Sequence, residues 1–151
     1  IWARMCKQEC SKASVIAVKA PDDLMQLGLS RRKAEYLIGV ADEIESGRLN
    51  LQDLKTMTGS DVQKCLMEIR GIGAWTADNF RLFALGDMDA WPANDLALQE
   101  GMRRLKNLVE RPSGKDLFLL GDAWRPFRGA GALMLWHIYG ILVRKVTIDQ
   151  V

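Results

Sequence analysis

Asp95 is the residue whose side chain and position in the sequence would suit a catalytic role. It ends the turn Trp91-Pro92-Ala93-Asn94-Asp95 and stands at the head of a predicted helix. A carboxylate held in a poorly solvated cleft can stabilise the positive charge that develops on a sugar as a base leaves, and it can orient an attacking water. The same position also suits a plain helix cap, since Asp is a preferred N-cap residue. The residue types alone leave both roles open.

A tight hairpin precedes this carboxylate. Gly71 and Gly73 flank one apolar residue between two amphipathic segments, and Trp75 follows them, twenty residues before Asp95. We expect a turn so tight that side chains at the two glycines would obstruct it. The helix that restarts at about Ala74 would point free backbone N–H groups outward, where they suit a phosphate. The pattern is typical of a helix-hairpin-helix DNA-binding element, and an ordinary helical corner without a ligand is the alternative.

Helices must position these residues, and almost the whole chain has helical periodicity. Apolar residues recur at three- and four-residue steps between a cap at Ser30 and a stop at Gly47. The other predicted helices run from Ser60 or Asp61 to residue 71, and over residues 74–85, 95–108, 114–123 and 127–145. The prediction is an all-α array of seven or eight helices, with the hairpin element at about 61–86 and the catalytic helix starting at Asp95.

Length and composition indicate one globular domain. The chain has 151 residues, 48% of them hydrophobic, which suffices to bury a sizeable core. Its net charge of +2 is low for a protein that coats nucleic acid. Any contact with DNA must therefore be local and made partly by backbone groups. The five Trp residues include rings that could stack on bases, although some are expected only to pack in the core.

The cysteines, the apolar runs and the first residues of the chain bear on the class and location of the protein. Cys6, Cys10 and Cys65 lack the His or fourth Cys that would complete a zinc or iron–sulfur site, so we expect reduced, packed thiols. No signal peptide is visible, and no apolar run reaches the ~20 residues of a membrane span. A cytoplasmic, nucleoid-associated protein of bacterial type is expected. The first residues, Ile1-Trp2-Ala3-Arg4-Met5, are typical of the interior of a helix and have no N-cap before them, so we expect an N-terminally truncated chain.

Four motifs in order carry a resemblance to a known family. They are Leu27-Gly28-Leu29-Ser30-Arg31, the hairpin with Trp75, the turn that ends in Asp95, and Trp124-Arg125-Pro126-Phe127-Arg128 with Leu135-Trp136. The chain resembles the helix-hairpin-helix DNA glycosylase superfamily and, within it, the 3-methyladenine DNA glycosylase II branch that acts on alkylated purines. The resemblance covers essentially the whole chain. It implies a bilobal helical fold whose cleft accepts a flipped nucleotide.

The resemblance also implies roles for individual residues. Asp95 falls on the catalytic aspartate. Trp75 and Trp136 fall on aromatic residues that line the base pocket, where their π faces could attract an electron-poor alkylated purine. Asn79 joins the substrate-binding residues, at a position that can be aromatic in relatives. The other aromatic residues of this half are expected only to pack: Phe80, Phe83, Trp91 and Trp124.

At the hairpin, the resemblance implies contacts with the DNA backbone and with a cation. The residues that would hold the phosphate are Gly71, Ile72, Gly73, Ala74 and Thr76. The backbone carbonyls that could hold a structural Na⁺ or K⁺ are those of Met67, Ile69 and Ile72. No other cofactor is expected. The expected partner is duplex DNA with a damaged base, bound by a monomer.

Trp75 also distinguishes between two mechanisms. Bifunctional relatives place a Lys at this hairpin position as a Schiff-base nucleophile. This chain has Trp there, and it lacks the four-Cys cluster of the endonuclease-III branch. The resemblance therefore implies a monofunctional glycosylase that uses water in base excision repair of DNA damage.

Two departures from the family keep a second prediction open. The family's wedge loop would lie before Ile1, and Arg70 stands where relatives often carry Pro. Without the wedge, nucleotide flipping should be impaired unless another segment supplies it. The alternative is a catalytically inactive helix-hairpin-helix fragment that binds DNA. Release of a base from methylated DNA distinguishes the enzyme from this binding module.

Overall fold

The protein is helical throughout the described part of the chain. The structure, a computed structural model, describes residues 1–142. This range contains helices and turns and no strand, so the all-α prediction is confirmed. The chain divides into two compact units, Ile1–Ile72 and Gly73–Val151.

The first unit is built around one long helix. Its helices are α1 (Trp2–Lys7), α2 (Ala13–Ala17), α3 (Pro21–Gln26), α4 (Arg31–Glu45) and α5 (Gly59–Met67), with a 3-10 turn at Asp53–Lys55. Helix α4 begins where the Ser30 hydroxyl accepts a hydrogen bond from the Lys33 amide at 3.4 Å, as predicted. It packs on α2 and α3. The buried residues of this core are Met5, Cys10, Ile16, Leu24, Leu27, Ala34 and Ala41.

The second unit packs two helices closely together. Its described helices are α6 (Ala74–Ala84), α7 (Leu96–Leu105), α8 (Gly114–Leu120) and α9 (Arg128–Leu142), with a 3-10 turn at Asp122–Trp124. A Cβ atom on Gly101 of α7 would lie 2.6 Å from the Leu135 carbonyl oxygen of α9. Only glycine therefore permits this approach of α7 to α9. The buried residues of the core are Leu82, Ala90, Trp91, Ala93, Leu98, Met102, Leu117, Ala132 and Leu135.

The predicted bounds of the hairpin's first helix are wrong at both ends. Helix α5 begins at Gly59, because the Thr58 hydroxyl caps it by accepting a hydrogen bond from the Asp61 amide at 3.2 Å. It ends at Met67 and not at Gly71, since the following residues form turns. The apolar residues keep their helical spacing beyond Met67, although the backbone there is no longer helical.

Other helix predictions differ in smaller ways. Helix α7 ends at Leu105 and not at residue 108, because Asn107 adopts a left-handed conformation with φ of +52°. Residues 1–142 contain nine α-helices, more than the seven or eight predicted. Helices α2 and α3, at five and six residues, are too short to show periodicity in the sequence. The predicted end of α9 at residue 145 lies outside the described residues.

The cysteines differ in exposure. Cys10 is buried and Cys65 is half-buried, but Cys6 is exposed, so the prediction of packed thiols is wrong for Cys6. No group of His, Cys, Asp and Glu within residues 1–142 could hold a metal ion. In the same range, no helix is both long enough and apolar enough to cross a membrane.

A largely buried ion pair fixes the start of α9. Arg128 is 6% exposed, and its Nε and Nη2 donate to the two carboxylate oxygens of Asp89, each at 2.7 Å. Arg125 donates to the same carboxylate at 3.0 Å. The hydrogen bonds from Arg128 hold the pKa of Asp89 below its ordinary value. The Arg128 guanidinium also lies over the Phe118 ring, 5.7 Å from its centroid.

We expect Asp89→Asn to lower the free energy of unfolding by about 3 kcal/mol at neutral pH, because it leaves a buried guanidinium without its counter-charge. A carboxyl with a lowered pKa stabilises the fold above its unfolded-state value of 3.8, and this contribution is lost as pH falls through the folded-state value. The difference between variant and parent should therefore shrink below about pH 4. Urea unfolding at a series of pH values measures it.

Asp122→Asn is the matched control, because Asp122 pairs with Arg125 while their side chains are 50% and 45% exposed. Loss of an exposed pair should change the free energy of unfolding by less than about 1 kcal/mol. Equal stability of Asp89→Asn and the parent at neutral pH would contradict the role of the buried pair.

Candidate active site

Asp95 caps α7 with one of its two oxygens. Its backbone is extended, with φ of −75° and ψ of 122°, and its Oδ1 accepts hydrogen bonds from the amides of Ala97 at 2.8 Å and Leu98 at 2.9 Å. These are two of the N–H groups that the first turn of a helix leaves without a partner. The cap interpretation of Asp95 is therefore confirmed, and it does not exclude a chemical role.

Two indole N–H groups also bind this carboxylate. Trp75 Nε1 donates to Asp95 Oδ2 at 2.6 Å, and Trp136 Nε1 donates to Asp95 Oδ1 at 3.2 Å. Trp75 lies in the first turn of α6, and Trp136 lies on α9. The structure thus brings together three residues that the sequence singled out separately. It does so through the N–H edges of the indoles, whereas only contacts through their π faces were predicted from the sequence.

A cavity of about 390 Å³ lies beside the carboxylate. Its lining residues are Trp75, Asn94, Asp95, Leu96, Ala97 and Tyr139. Four lining residues were not predicted from the sequence: Asn94, Leu96, Ala97 and Tyr139. For Tyr139 a signal was available, because it follows Trp136 by three residues on the same helix.

One row of side chains on α6 supports the indoles. Trp75, Asn79 and Phe83 are spaced four residues apart, so they share a face of the helix. Asn79 Nδ2 donates to the Trp75 carbonyl oxygen at 2.7 Å, which ties this amide to the backbone beneath the indole. Phe83 stacks on Trp136, with ring centroids 5.7 Å apart and an interplanar angle of 22°.

The prediction that Phe83 is a plain packing residue is wrong. Its side chain is 65% exposed, so its contact with Trp136 lies at the surface and not in the core. Trp91 does pack, being 4% exposed with its Nε1 donating to the Leu117 carbonyl at 3.0 Å. The half-buried ring of Trp124 meets Trp91 edge-on. Spacing along α6 was the available signal for Phe83, because it lies two turns after Trp75.

Glu100 is the other carboxylate of α7. Arg103 donates to it through Nε at 2.9 Å and Nη2 at 2.7 Å, and Arg104 adds a bond at 3.1 Å. The Arg103 hydrogen bonds, aided by Arg104, lower the pKa of Glu100 to about 2. Glu100 is thus ionised and engaged by its own helix, while Asp95 is the α7-capping carboxylate that borders the cavity.

The hairpin turn closes the first unit. After α5 ends, the Ile72 amide donates to the Ile69 carbonyl at 3.1 Å, which makes a tight turn. Gly71 has φ of +94°, and a Cβ atom there would overlap the Tyr36 ring. Glycine is therefore required at position 71 both by the backbone and by its neighbour. This part of the hairpin prediction is confirmed.

Gly73 differs from Gly71. It precedes α6 with φ of −101° and ψ of 174°, an extended conformation open to any residue, and a Cβ atom there would have no neighbour within 4 Å. The prediction that a side chain at Gly73 would obstruct the hairpin is therefore wrong for the protein alone. The first amides of α6, including those of Ala74 and Thr76, follow a residue that has no side chain to cap them.

The same substitution should have different effects at Gly71 and at Gly73. Gly71→Ala should lower the melting temperature by several degrees, because it strains the backbone and displaces Tyr36. Gly73→Ala should leave the melting temperature within about 2 °C of the parent, since nothing opposes the added methyl group. Thermal unfolding followed by circular dichroism measures both. Equal melting temperatures for the two variants would contradict the conformation assigned to Gly71.

Comparison with known proteins identifies the family. Residues 1–126 match the family described as HhH-GPD superfamily base excision DNA repair protein, where HhH denotes helix-hairpin-helix. The chain belongs to this family. The resemblance predicted from four sequence motifs is therefore confirmed.

Two relatives from Bacillus subtilis match most of the chain. A putative DNA-3-methyladenine glycosylase is 36% identical over 126 residues, which are 83% of this chain and 44% of that protein. A DNA-3-methyladenine glycosylase is 31% identical over 123 residues, which are 82% of this chain and 41% of that protein. The chain thus spans less than half the length of these two relatives.

Two solved structures share the fold. One is a 3-methyladenine DNA glycosylase of Schizosaccharomyces pombe in complex with abasic DNA. It superposes with a TM-score of 0.81 at 26% identity, covering 90% of this chain and 66% of that one. The other is a DNA-3-methyladenine glycosidase of Bacillus halodurans, with a TM-score of 0.74 at 33% identity, covering 92% of this chain and 64% of that one. The predicted helix-hairpin-helix glycosylase fold is confirmed.

Proposed function

We propose that the chain belongs to a monofunctional DNA glycosylase that hydrolyses the N-glycosidic bond of alkylated purines in duplex DNA. The observation that carries this proposal is the Asp95 carboxylate, which borders a cavity of about 390 Å³ and accepts hydrogen bonds from two indoles. Family membership supplies the reaction class, and the two relatives and two structures above are named for 3-methyladenine.

The proposed chemistry needs an anion near the sugar. As the bond between C1′ and the base nitrogen breaks, its electron pair leaves with the base, and positive charge develops on the sugar ring. The Asp95 carboxylate stabilises this charge electrostatically. A water oxygen then bonds to C1′, and the released proton passes to Asp95 or to solvent. A purine that is already cationic through alkylation leaves as a neutral base.

The substrate class follows from the rings around the carboxylate. An alkylated purine is electron-poor, and indole faces attract such rings and cations. Trp75 is 48% exposed and lines the cavity, so a flipped base could meet its face. Trp136 has one face stacked by Phe83, which limits its direct role in binding a base. Asn79 would act on the substrate through Trp75, whose carbonyl oxygen it binds.

The hairpin would bind the DNA backbone. The amides that begin α6 lack helical partners, and the open space at Gly73 would let a phosphate approach them. Such contacts fix the position of the protein on duplex DNA without reading its sequence. Gly71 and Ile72 would contribute by shaping the turn. Binding as a monomer and a cytoplasmic location stay predictions.

The end of α5 offers a donor set for a monovalent cation. Carbonyls in the last turn of a helix lack intrahelical partners, and Met67 is the last residue of α5. The Ile69 carbonyl accepts one hydrogen bond, from the Ile72 amide, which leaves its second lone pair. Neutral backbone oxygens of this kind suit Na⁺ or K⁺. The carbonyls of Met67, Ile69 and Ile72 would hold the ion, whose charge would attract a phosphate.

We expect Asp95→Asn to reduce release of 3-methyladenine from methylated duplex DNA by at least about a hundredfold. Asn is as good a helix cap as Asp, so α7 and the affinity for DNA should be retained while the negative charge is lost. Base release under single-turnover conditions and binding to an abasic-site duplex measure the two effects.

The matched control is Asp116→Asn, the same exchange at an exposed carboxylate in the capping box of α8. It should leave base release unchanged. Base release at the parental rate by Asp95→Asn would overturn the catalytic assignment. No base release by the parent, with DNA binding intact, would instead favour the inactive DNA-binding module.

Treatment with borohydride tests the monofunctional mechanism. The sequence from Glu68 to Asn79 contains no lysine, so the hairpin turn offers no side-chain amine that could form an imine with the abasic sugar. Incubation with damaged duplex and borohydride should therefore give no covalent protein–DNA adduct, and the product strand should stay uncut. A trapped adduct that disappears when a single lysine is replaced would contradict the proposed use of water.

A further inference from the structure

The two oxygens of Asp95 differ in the number of hydrogen bonds that they accept. Oδ1 accepts three, from the amides of Ala97 and Leu98 and from Trp136 Nε1. Oδ2 accepts one among the described residues, from Trp75 Nε1 at 2.6 Å. A carboxylate oxygen has two lone pairs. Oδ1 is therefore saturated, and Oδ2 is the oxygen that can accept a further hydrogen bond or face a cationic sugar.

The indoles restrain the carboxylate in a way that the cap alone does not. The terminal torsion of an Asp side chain is broad, so two bonds to one oxygen leave the other oxygen free to swing. Trp75 and Trp136 each bind a different oxygen, and they come from different helices. Together with the cap, they fix the plane of the carboxylate.

The orientation of Trp136 depends in turn on Phe83. The two rings stack with centroids 5.7 Å apart, and Phe83 is 65% exposed. An aromatic ring so exposed contributes little to a core, and its described aromatic partner is Trp136. Phe83 lies on the same row of α6 as Trp75, so one helix face supports both indoles.

We propose that Trp75, Trp136 and Phe83 form a carboxylate clamp that presents Oδ2 of Asp95 as the oxygen that acts on C1′. Trp75 and Trp136 act on the carboxylate through their N–H groups, and Phe83 acts through Trp136. In this role all three are positioning residues. The catalytic consequence rests on the proposed glycosylase function, whereas the clamp itself is a property of the free protein.

Indole N–H resonances test the clamp without any activity. The five Trp residues give five indole cross-peaks in a ¹⁵N-labelled protein. In Asp95→Asn, the amide oxygen should stay with the three donors on the Oδ1 side, and the amide NH₂ then faces Trp75 and cannot accept its hydrogen bond. The Trp75 cross-peak should shift, and its hydrogen exchange should become about tenfold faster or more. Trp91, which donates to the Leu117 carbonyl, is the internal control and should not change.

Replacement of Phe83 tests the second contact. Phe83→Leu should shift the Trp136 cross-peak, because the stacked ring is lost, and Phe83→Tyr should restore it. The clamp is overturned if the Trp75 indole N–H exchanges equally fast in the parent and in Asp95→Asn. It is also overturned if the Trp136 cross-peak is the same in the parent and in Phe83→Leu.

Kinetics test the catalytic consequence. Under single-turnover conditions, Phe83→Leu should reduce the rate of base release about tenfold, with the affinity for an abasic-site duplex unchanged. Phe83→Tyr should stay within about twofold of the parent, since it preserves the stacked ring. Phe127→Leu is the matched control, because the Phe127 side chain is exposed to a similar extent, 61%, but borders a different cavity. It should leave the rate unchanged.

The outcomes separate the clamp from the proposed function. An unchanged rate in Phe83→Leu, or a loss of DNA affinity as large as the loss of rate, would overturn the positioning role. If the parent releases no base while the indole resonances respond as described, the glycosylase function fails and the clamp stands. If the parent is active and the resonances do not respond, the clamp fails and the function stands.

Discussion

A single carboxylate joins three helices of the second unit. Asp95 begins α7 and accepts one indole N–H from α6 and another from α9. A hydrogen bond to a charged group contributes about 1.5–3 kcal/mol, more than one between neutral groups. The group that could do chemistry is thus also a structural junction. Its geometry is set by the fold before any substrate arrives, which is the condition for electrostatic stabilisation of a transition state.

The position of the Trp136 indole relative to Asp95 depends on how closely α9 packs against its neighbours. Gly101 lets α7 lie against the backbone of Leu135, the residue before Trp136. At the start of α9, the Gly129 amide donates to the Met88 carbonyl at 2.7 Å, and the pair of Arg128 with Asp89 lies beside it. A helix rises 1.5 Å per residue, so a slip of one residue would break a hydrogen bond of 3.2 Å. Small residues and one ion pair therefore determine where the indole N–H points.

The features predicted correctly from the sequence were local ones. The cap at Ser30, the glycine turn at Gly71 and the carboxylate at the head of a helix follow from residue types within a few positions of one another. Motifs then indicated the family and brought Trp75 and Trp136 into consideration. These inferences need no knowledge of which side chains touch across the fold.

The features that the sequence did not predict depend on tertiary contacts. Whether an indole offers its face or its N–H is decided by a rotamer and by the neighbouring helix, and not by spacing. Phe83 looked like a core residue because apolar residues usually are, and its exposure follows from the position of α6 in the fold. Gly73 looked sterically required because Gly71 is, but its backbone is extended and its surroundings are open.

Asp95 both caps α7 and is proposed to act in catalysis, and these two roles constrain differently how the sequence can change in evolution. Ser, Thr and Asn would all serve as the cap of α7, so selection for a stable fold alone tolerates several residues at this position. Selection for the reaction tolerates far fewer, because none of these alternatives carries a negative charge. A lineage released from the need for catalysis could therefore drift away from Asp at this position without losing the helix. Asp at position 95 satisfies both pressures, whereas Ser, Thr or Asn there would indicate that only the requirement for a helix cap remains.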